Sequence, residues 1–261
     1  MSIITLDVRR SPLGRLNAVA KLTAALTIGI VLLLSIDPVS AGVSFALTCA
    51  LLPFARLSFR DLWLRVWPIA ASALIASLAT ALYGRESGSV YFEWGLLRIS
   101  DGSLMLAGAI FLRVLAIAVP SVVLFATTDP TDLADALAQL VRLPARFVLG
   151  ALAGLRLVGL LIDDWRELAM ARRARGVADT GRIRRFAGQT FALFVLAIRR
   201  GTKLATAMEA RGFGTRIRRT WARPSTLRAG DALLVLIAVA VAAASVTASV
   251  ATGAWTPVTG L

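Results

Sequence analysis

Two short stretches of the sequence carry the same chemistry. Leu168-Ala169 is followed after four residues by Ala174-Arg175-Gly176, and Leu204-Ala205 after four residues by Ala210-Arg211-Gly212, a period of 36 residues. Arginine presents a planar guanidinium that can bond a carboxylate bidentately. Alanine ahead of it keeps a helix tip slim, and glycine behind it can take the left-handed conformation that stops a helix. Arginine in a last turn also complements the negative end of the helix dipole. Each tripeptide is therefore either a stop signal only or a tip shaped to enter a groove. A third Arg-Gly pair, Arg200-Gly201, falls inside a helical pattern and shows how ordinary a single copy is. Two copies with the same lead-in favour the second reading, and two equivalent tips suggest a partner with two equivalent grooves.

Other chemistry is scarce. The chain has no histidine, and its one cysteine, Cys49, sits in an apolar run, so neither a disulfide framework nor a thiolate metal site is available. No glycine-rich phosphate loop ending in Lys-Ser/Thr occurs, so nucleotide hydrolysis would have to come from a partner. Asp163-Asp164 is a paired acid, but neighbouring helix positions point about 100° apart and do not converge on one ion. No metal or cofactor site is expected on this chain. Arg113 is the one charge near the interior of an apolar run. An intramembrane ionisable residue is a functional candidate by default, with helix packing or a lipid headgroup as the other uses.

The elements that position these residues are those of a membrane protein. Of 261 residues, 57% are hydrophobic and 17% charged, with mean hydropathy +0.76. Soluble domains carry about 45–50% and about 25%. The excess is gathered in runs of about twenty residues, the length that crosses a hydrocarbon core about 30 Å thick. Five spans are expected: Ala18–Ile36, Val39–Ala55, Val66–Tyr83, Leu104–Thr127 and Ala232–Thr252. Met1–Ala20 lacks a compact apolar run with a cleavage site, so the first span reads as retained.

Net charge is +14. Arg9, Arg10, Arg15 and Lys21 precede or open the first span, and Arg56, Arg60 and Arg65 follow the second. Loop Gly84–Ser103 has two arginines and three acids, and nothing after Thr252 is charged. That alternation predicts a cytoplasmic N-terminus. The organisation is then 1–127, four spans; 128–230, a cytoplasmic helical region; and 231–261, a last span with an outer tail. Thr128–Gly230 holds 19 Lys/Arg against 8 Asp/Glu. Its charge is interleaved with apolar helix faces, which argues against nucleic acid.

Three helices are predicted there: Pro130–Val141, capped by Asp129; about Ala145–Arg175; and about Phe186–Arg211. The apolar part of the second, Phe147–Ile162, is short for a span and contains Arg156. It includes a small-residue stripe at Gly150 and Gly154, suited either to internal packing or to seating another membrane protein. Phe191, Phe194 and Ile198 on the third either complete that seat or belong to a core.

The sequence resembles the transmembrane coupling subunits (T components) of energy-coupling-factor transporters, which are ABC importers of vitamins and of cobalt or nickel ions. The resemblance rests on Leu13-Gly14-Arg15-Leu16-Asn17 through Ala20-Lys21-Leu22, on Thr127-Thr128-Asp129-Pro130 with Leu133 and Ala136-Leu137, and above all on Met208-Glu209-Ala210-Arg211-Gly212-Phe213. The first motif, crowded by Arg172 and Arg173, admits a shifted register. The resemblance implies an all-α polytopic protein of a bacterial cell membrane, with about five transmembrane helices and long cytoplasmic coupling helices. It implies two ABC ATPase subunits as partners, docked on Ala174, Arg175, Gly176, Ala210, Arg211 and Gly212. It also implies a membrane substrate-binding S component, for which Gly150, Gly154, Phe191, Phe194 and Ile198 are the seat. On this resemblance the chain is not an enzyme, ATP lies on the partners, and the cargo is chosen by the S component.

Two rivals remain. The permease of a conventional ABC importer couples through one Glu-Ala-Ala loop, from which Glu209-Ala210-Arg211 departs. A polytopic lipid enzyme would need Asp163-Asp164 to hold a metal.

Overall fold

Asparagine or aspartate ahead of a helix start, often with proline at the first helical position, sets where several helices begin. A computed structural model of the chain describes residues 12–55, 57–84, 89–94, 97–176, 181–214 and 220–255. Arg9, Arg10 and Arg56 of the charge pattern lie outside these residues, as do parts of the 84–103 loop and of the tail. After a short 3-10 turn at Pro12–Arg15 come helices α1 (Ala18–Leu33), α2 (Pro38–Ala55), α3 (Phe59–Tyr83), α4 (Asp101–Ala126), α5 (Pro130–Gln139), α6 (Ala145–Ala174), α7 (Arg182–Ala210) and α8 (Ala229–Ala251). Strands β1 (Val90–Trp94) and β2 (Leu97–Ser100) form an antiparallel hairpin between α3 and α4, pairing Trp94 with Leu97 and Glu93 with Arg98. The loop reading of that segment missed it, although its bulky and β-branched residues suit strands.

The residues form two units, Ala134–Ser225 and the remainder. In the remainder, α1, α2, α4 and α8 pack on one another and α3 packs on α4. The interior is built from small side chains: Ala24, Ala25, Ala116 and Ala238 surround Ile28, Leu32, Leu124 and Val241. Trp63, Leu74, Ile75 and Leu78 of α3 face outward. Small inside and large outside is the pattern for helices that meet in lipid, where apolar bulk gains nothing by turning inward.

Hydrogen bonds fix the directions of these helices. The buried Asp231 carboxylate accepts from Asn17 N at 2.6 Å and from Arg228 N at 2.7 Å, so α1 and α8 start side by side. Lys21, also buried, donates from Nζ to the Thr127 carbonyl at 2.7 Å, supplying a cation to the negative end of α4. One end of this unit thus holds Arg15, Lys21 and Arg228, and the chain leaves α4 and enters α8 there.

The opposite end is tied by Asp37. Its carboxylate accepts from Ser40 N at 2.6 Å, Ser40 Oγ at 2.8 Å and Ser249 Oγ at 2.7 Å, joining the α1–α2 turn to the end of α8. Burial alone would raise its pKa, but these hydrogen bonds and one from Ser35 outweigh burial and hold it below the ordinary carboxylate value. A lowered folded pKa stabilises the fold above the unfolded value of about 3.9, and that stability fades as pH falls through the folded value. Melting in detergent should therefore fall below about pH 4 in the unmodified chain, while Asp37→Asn is less stable at pH 7 and has a flatter profile. An unchanged acid slope in Asp37→Asn would assign the acid sensitivity to other carboxylates.

Two predicted spans change. Among the described residues, the helices long and apolar enough to cross a membrane by length and composition are α2, α3, α4, α6 and α8. The reading of α6 as too short is corrected: its apolar window has mean hydropathy 1.9 because Arg146 and Arg156 are the only charges before Asp163. α1 ends at Leu33 instead of Ile36, since the turn that prepares the Asp37 cap has already begun. Its 16 residues rise about 24 Å. α3 starts at Phe59, earlier than Val66, because Phe59, Trp63 and Trp67 stack at four-residue spacing with ring centroids 6.2 Å apart. Such aromatic clusters suit the membrane–water boundary.

Candidate functional site

The predicted tips close α6 and α7, which pack together in the unit Ala134–Ser225. Both end by the same device. Arg175 caps α6 with its N–H donating to the Ala171 carbonyl at 3.2 Å, and Gly176 turns left-handed at φ +69° while donating to Arg173 O at 3.0 Å. Arg211 caps α7 with its N–H on Ala207 O at 3.3 Å. Gly212 turns at φ +77°, donating to Glu209 O at 2.9 Å, and Phe213 donates to Met208 O at 2.9 Å. This is the glycine stop that only a residue without Cβ adopts cheaply.

Gly176 and Gly212 hold equivalent places at the ends of α6 and α7. Ala174, Arg175, Gly176, Ala210 and Arg211 are exposed, and Gly212 is half-buried. Neither the Arg175 nor the Arg211 guanidinium has an ion pair among the described residues.

A brace missed from the sequence joins the helices. Arg200 donates to Asp164 Oδ1 at 2.6 Å, with the Asp164 side chain 8% exposed and that of Arg200 37% exposed. Each partner lies eleven residues ahead of its tip arginine, Asp164 before Arg175 and Arg200 before Arg211. The 36-residue period was the signal that could have found it. Gln189, buried, donates to Trp165 O at 2.8 Å, and Arg172 donates to Gly188 O at 2.9 Å. Asp163 pairs instead with Arg166 at 3.6 Å on its own helix. The two acids thus serve different arginines, and no three metal-ligating side chains cluster among the described residues.

The expected S-component residues are open. Gly150 and Gly154 are exposed, and a Cβ added to either would meet nothing within 4 Å. Phe191 is 69% exposed, Phe194 61% and Ile198 52%, on one face of α7. In the other unit, Arg113 keeps Nε and one terminal nitrogen buried without a hydrogen-bond partner among the described residues.

Comparisons with known proteins agree with this architecture. The family described as Cobalt transport protein (CbiQ) matches residues 9–221. The chain is 30% identical over 249 residues to the Energy-coupling factor transporter transmembrane protein EcfT of Limosilactobacillus fermentum, covering 88% of this chain and 91% of that protein. It is 30% identical to the protein of that name from Exiguobacterium sibiricum over 242 residues, covering 88% and 92%. The Streptococcus equi subsp. equi protein of the same name is 28% identical over 242 residues, covering 88% and 89%. This predominantly helical, multi-pass membrane chain belongs to that family, the transmembrane components of energy-coupling-factor transporters.

Proposed function

We propose that the chain is the non-catalytic link of such a transporter, relaying ATP-driven motion from two ABC ATPase subunits to a membrane substrate-binding S component. The observation that carries this reading is the pair of equivalent tips. Each offers an exposed guanidinium on a helix stopped by a left-handed glycine, a shape that fits a groove bearing a carboxylate. Closure of the ATPases on nucleotide changes the spacing of two such grooves, and α6 and α7 pass that change on. Gly150, Gly154 and the Phe191, Phe194 and Ile198 face supply the small-residue and apolar surfaces on which an S component can pack. The cargo is a vitamin or a transition-metal ion, chosen by the S component.

The charged end of the bundle, where α4 ends and α8 begins, faces the cytoplasm of a bacterial cell, so the N-terminus is cytoplasmic and the C-terminus outside. ATP stays on the partners. The full chain, affinity-purified from its native membrane, should bring down two ATPase chains and one small membrane protein, and should hydrolyse no ATP once separated from them. Turnover by the separated chain, or its isolation without ATPase chains, would overturn this reading.

A further inference from the structure

Between α6 and α7 lies a cavity of about 540 Å³. Its walls combine the apolar Trp165, Ile183 and Phe186 with Arg172, Arg173 and Arg185. Trp165 and Phe186 meet edge to face with ring centroids 5.6 Å apart. Gln189 fixes Trp165, and Arg172 is held on Gly188 O, so the walls are tied together from both helices. The Arg173 and Arg185 side chains are exposed and have no ion pair among the described residues.

The apolar run of α6 leads straight into this cavity. None of the residues in its 18-residue apolar window is buried. The run ends at Ile162, and Trp165 follows one turn later, about 5 Å further along the axis. Helical side chains tilt toward the N-terminus, so Arg172 and Arg173 lean back toward the run. Ile183 is 86% exposed and Phe186 63%, and both line the same cavity as the exposed Arg173 and Arg185. Hydrocarbon beside cationic donors, with an aromatic ring between, matches one kind of occupant, an amphiphile with a negative head. An acidic protein segment would satisfy the arginines but leave uncovered the exposed Val158 and Ile162, the part of the run next to the cavity and beyond Gly150 and Gly154.

We propose that this cavity binds the headgroup phosphate of an anionic phospholipid, with an acyl chain lying along the α6 run. Arg173 and Arg185 bind the phosphate, Trp165 and Phe186 cover the glycerol region, and Arg172 braces the site. The site stands independently of ATPase docking at Arg175 and Arg211.

Native mass spectrometry of the full chain, titrated with dioleoyl phosphatidylglycerol or dioleoyl phosphatidylcholine, tests this. The unmodified chain should prefer phosphatidylglycerol. The Arg173→Gln, Arg185→Gln pair should weaken phosphatidylglycerol binding about tenfold, given the affinity contributed by each basic residue near an anionic lipid, and leave phosphatidylcholine unaffected. Arg199→Gln with Lys203→Gln removes the same charge elsewhere on α7 and should retain the preference. Equal weakening by both pairs, or by neither, would overturn the proposal. So would a first pair that keeps phosphatidylglycerol but loses ATPase association, which would make the cavity a protein interface. Inorganic phosphate that displaces the lipid at equal concentration would reduce the site to a free-anion pocket. On the unmodified chain, a photoreactive phosphatidylglycerol should label peptides spanning 165–176 or 183–189, and labelling only elsewhere would refute the assignment.

Discussion

Replacing Arg175 and Arg211 together by alanine is expected to strip the ATPase subunits from the purified complex. Each guanidinium now stands in solvent at a fixed helix end. Docking would bury it against a carboxylate, and truncating one partner of a buried, hydrogen-bonded charge pair costs about 2–5 kcal/mol. Arg211→Ala alone should thus weaken ATPase association well over tenfold, and the double change should leave almost no co-eluting ATPase. Lysine keeps the charge and loses the fork, so Arg211→Lys should fall between. The readouts are ATPase co-elution and transport-linked ATP hydrolysis. Full retention of both in the double variant would place the docking surface elsewhere.

The second large effect is expected at the brace. Arg200→Met leaves the Asp164 carboxylate buried and uncompensated, which costs about 3–5 kcal/mol in a fully buried pair. Arg200 is 37% exposed, so solvent screening moves the expected loss to the lower end of that range. It should appear as faster limited proteolysis of α6 and α7 while the remaining helices stay protected. Pairing Arg200→Met with Asp164→Leu removes both charges and should recover most of the loss, since an apolar replacement of a buried pair is often neutral. If the single and double variants digested at the same rate, the bond would not be what holds the helices together.

How far such features could be read from the sequence depended on whether their cause was local. Asp129-Pro130 announces α5, and Asp129 Oδ1 accepts from Thr131 N at 2.7 Å as a cap should. The tips were legible for the same reason, because a glycine stop needs only its own neighbours. The extent of α6 was legible, about Ala145–Arg175 against Ala145–Ala174, whereas its apolar part reads as short because Arg156 looks like an interruption, although an apolar helix carries an isolated arginine when its long stem reaches outward. Asp163 and Asp164 look identical in sequence. Only the placement of α7 makes one an exposed partner of Arg166 and the other the anchor of Arg200. Nothing local to Gln189 or Lys21 points to Trp165 O or Thr127 O, each a contact across the fold.

Arg200 reaches only Oδ1 of Asp164, and Oδ2 has no hydrogen-bond partner among the described residues. A two-pronged grip would lock the plane of one group against the other. The single point of attachment of Arg200 acts as one rivet among several, alongside Gln189 on Trp165 O and Arg172 on Gly188 O, which together keep the two rods from sliding apart. About 16 Å of helix separates the Arg200 rivet from either end arginine, eleven residues on each side. A push on either end would reach the other rod through these rivets without unfolding either.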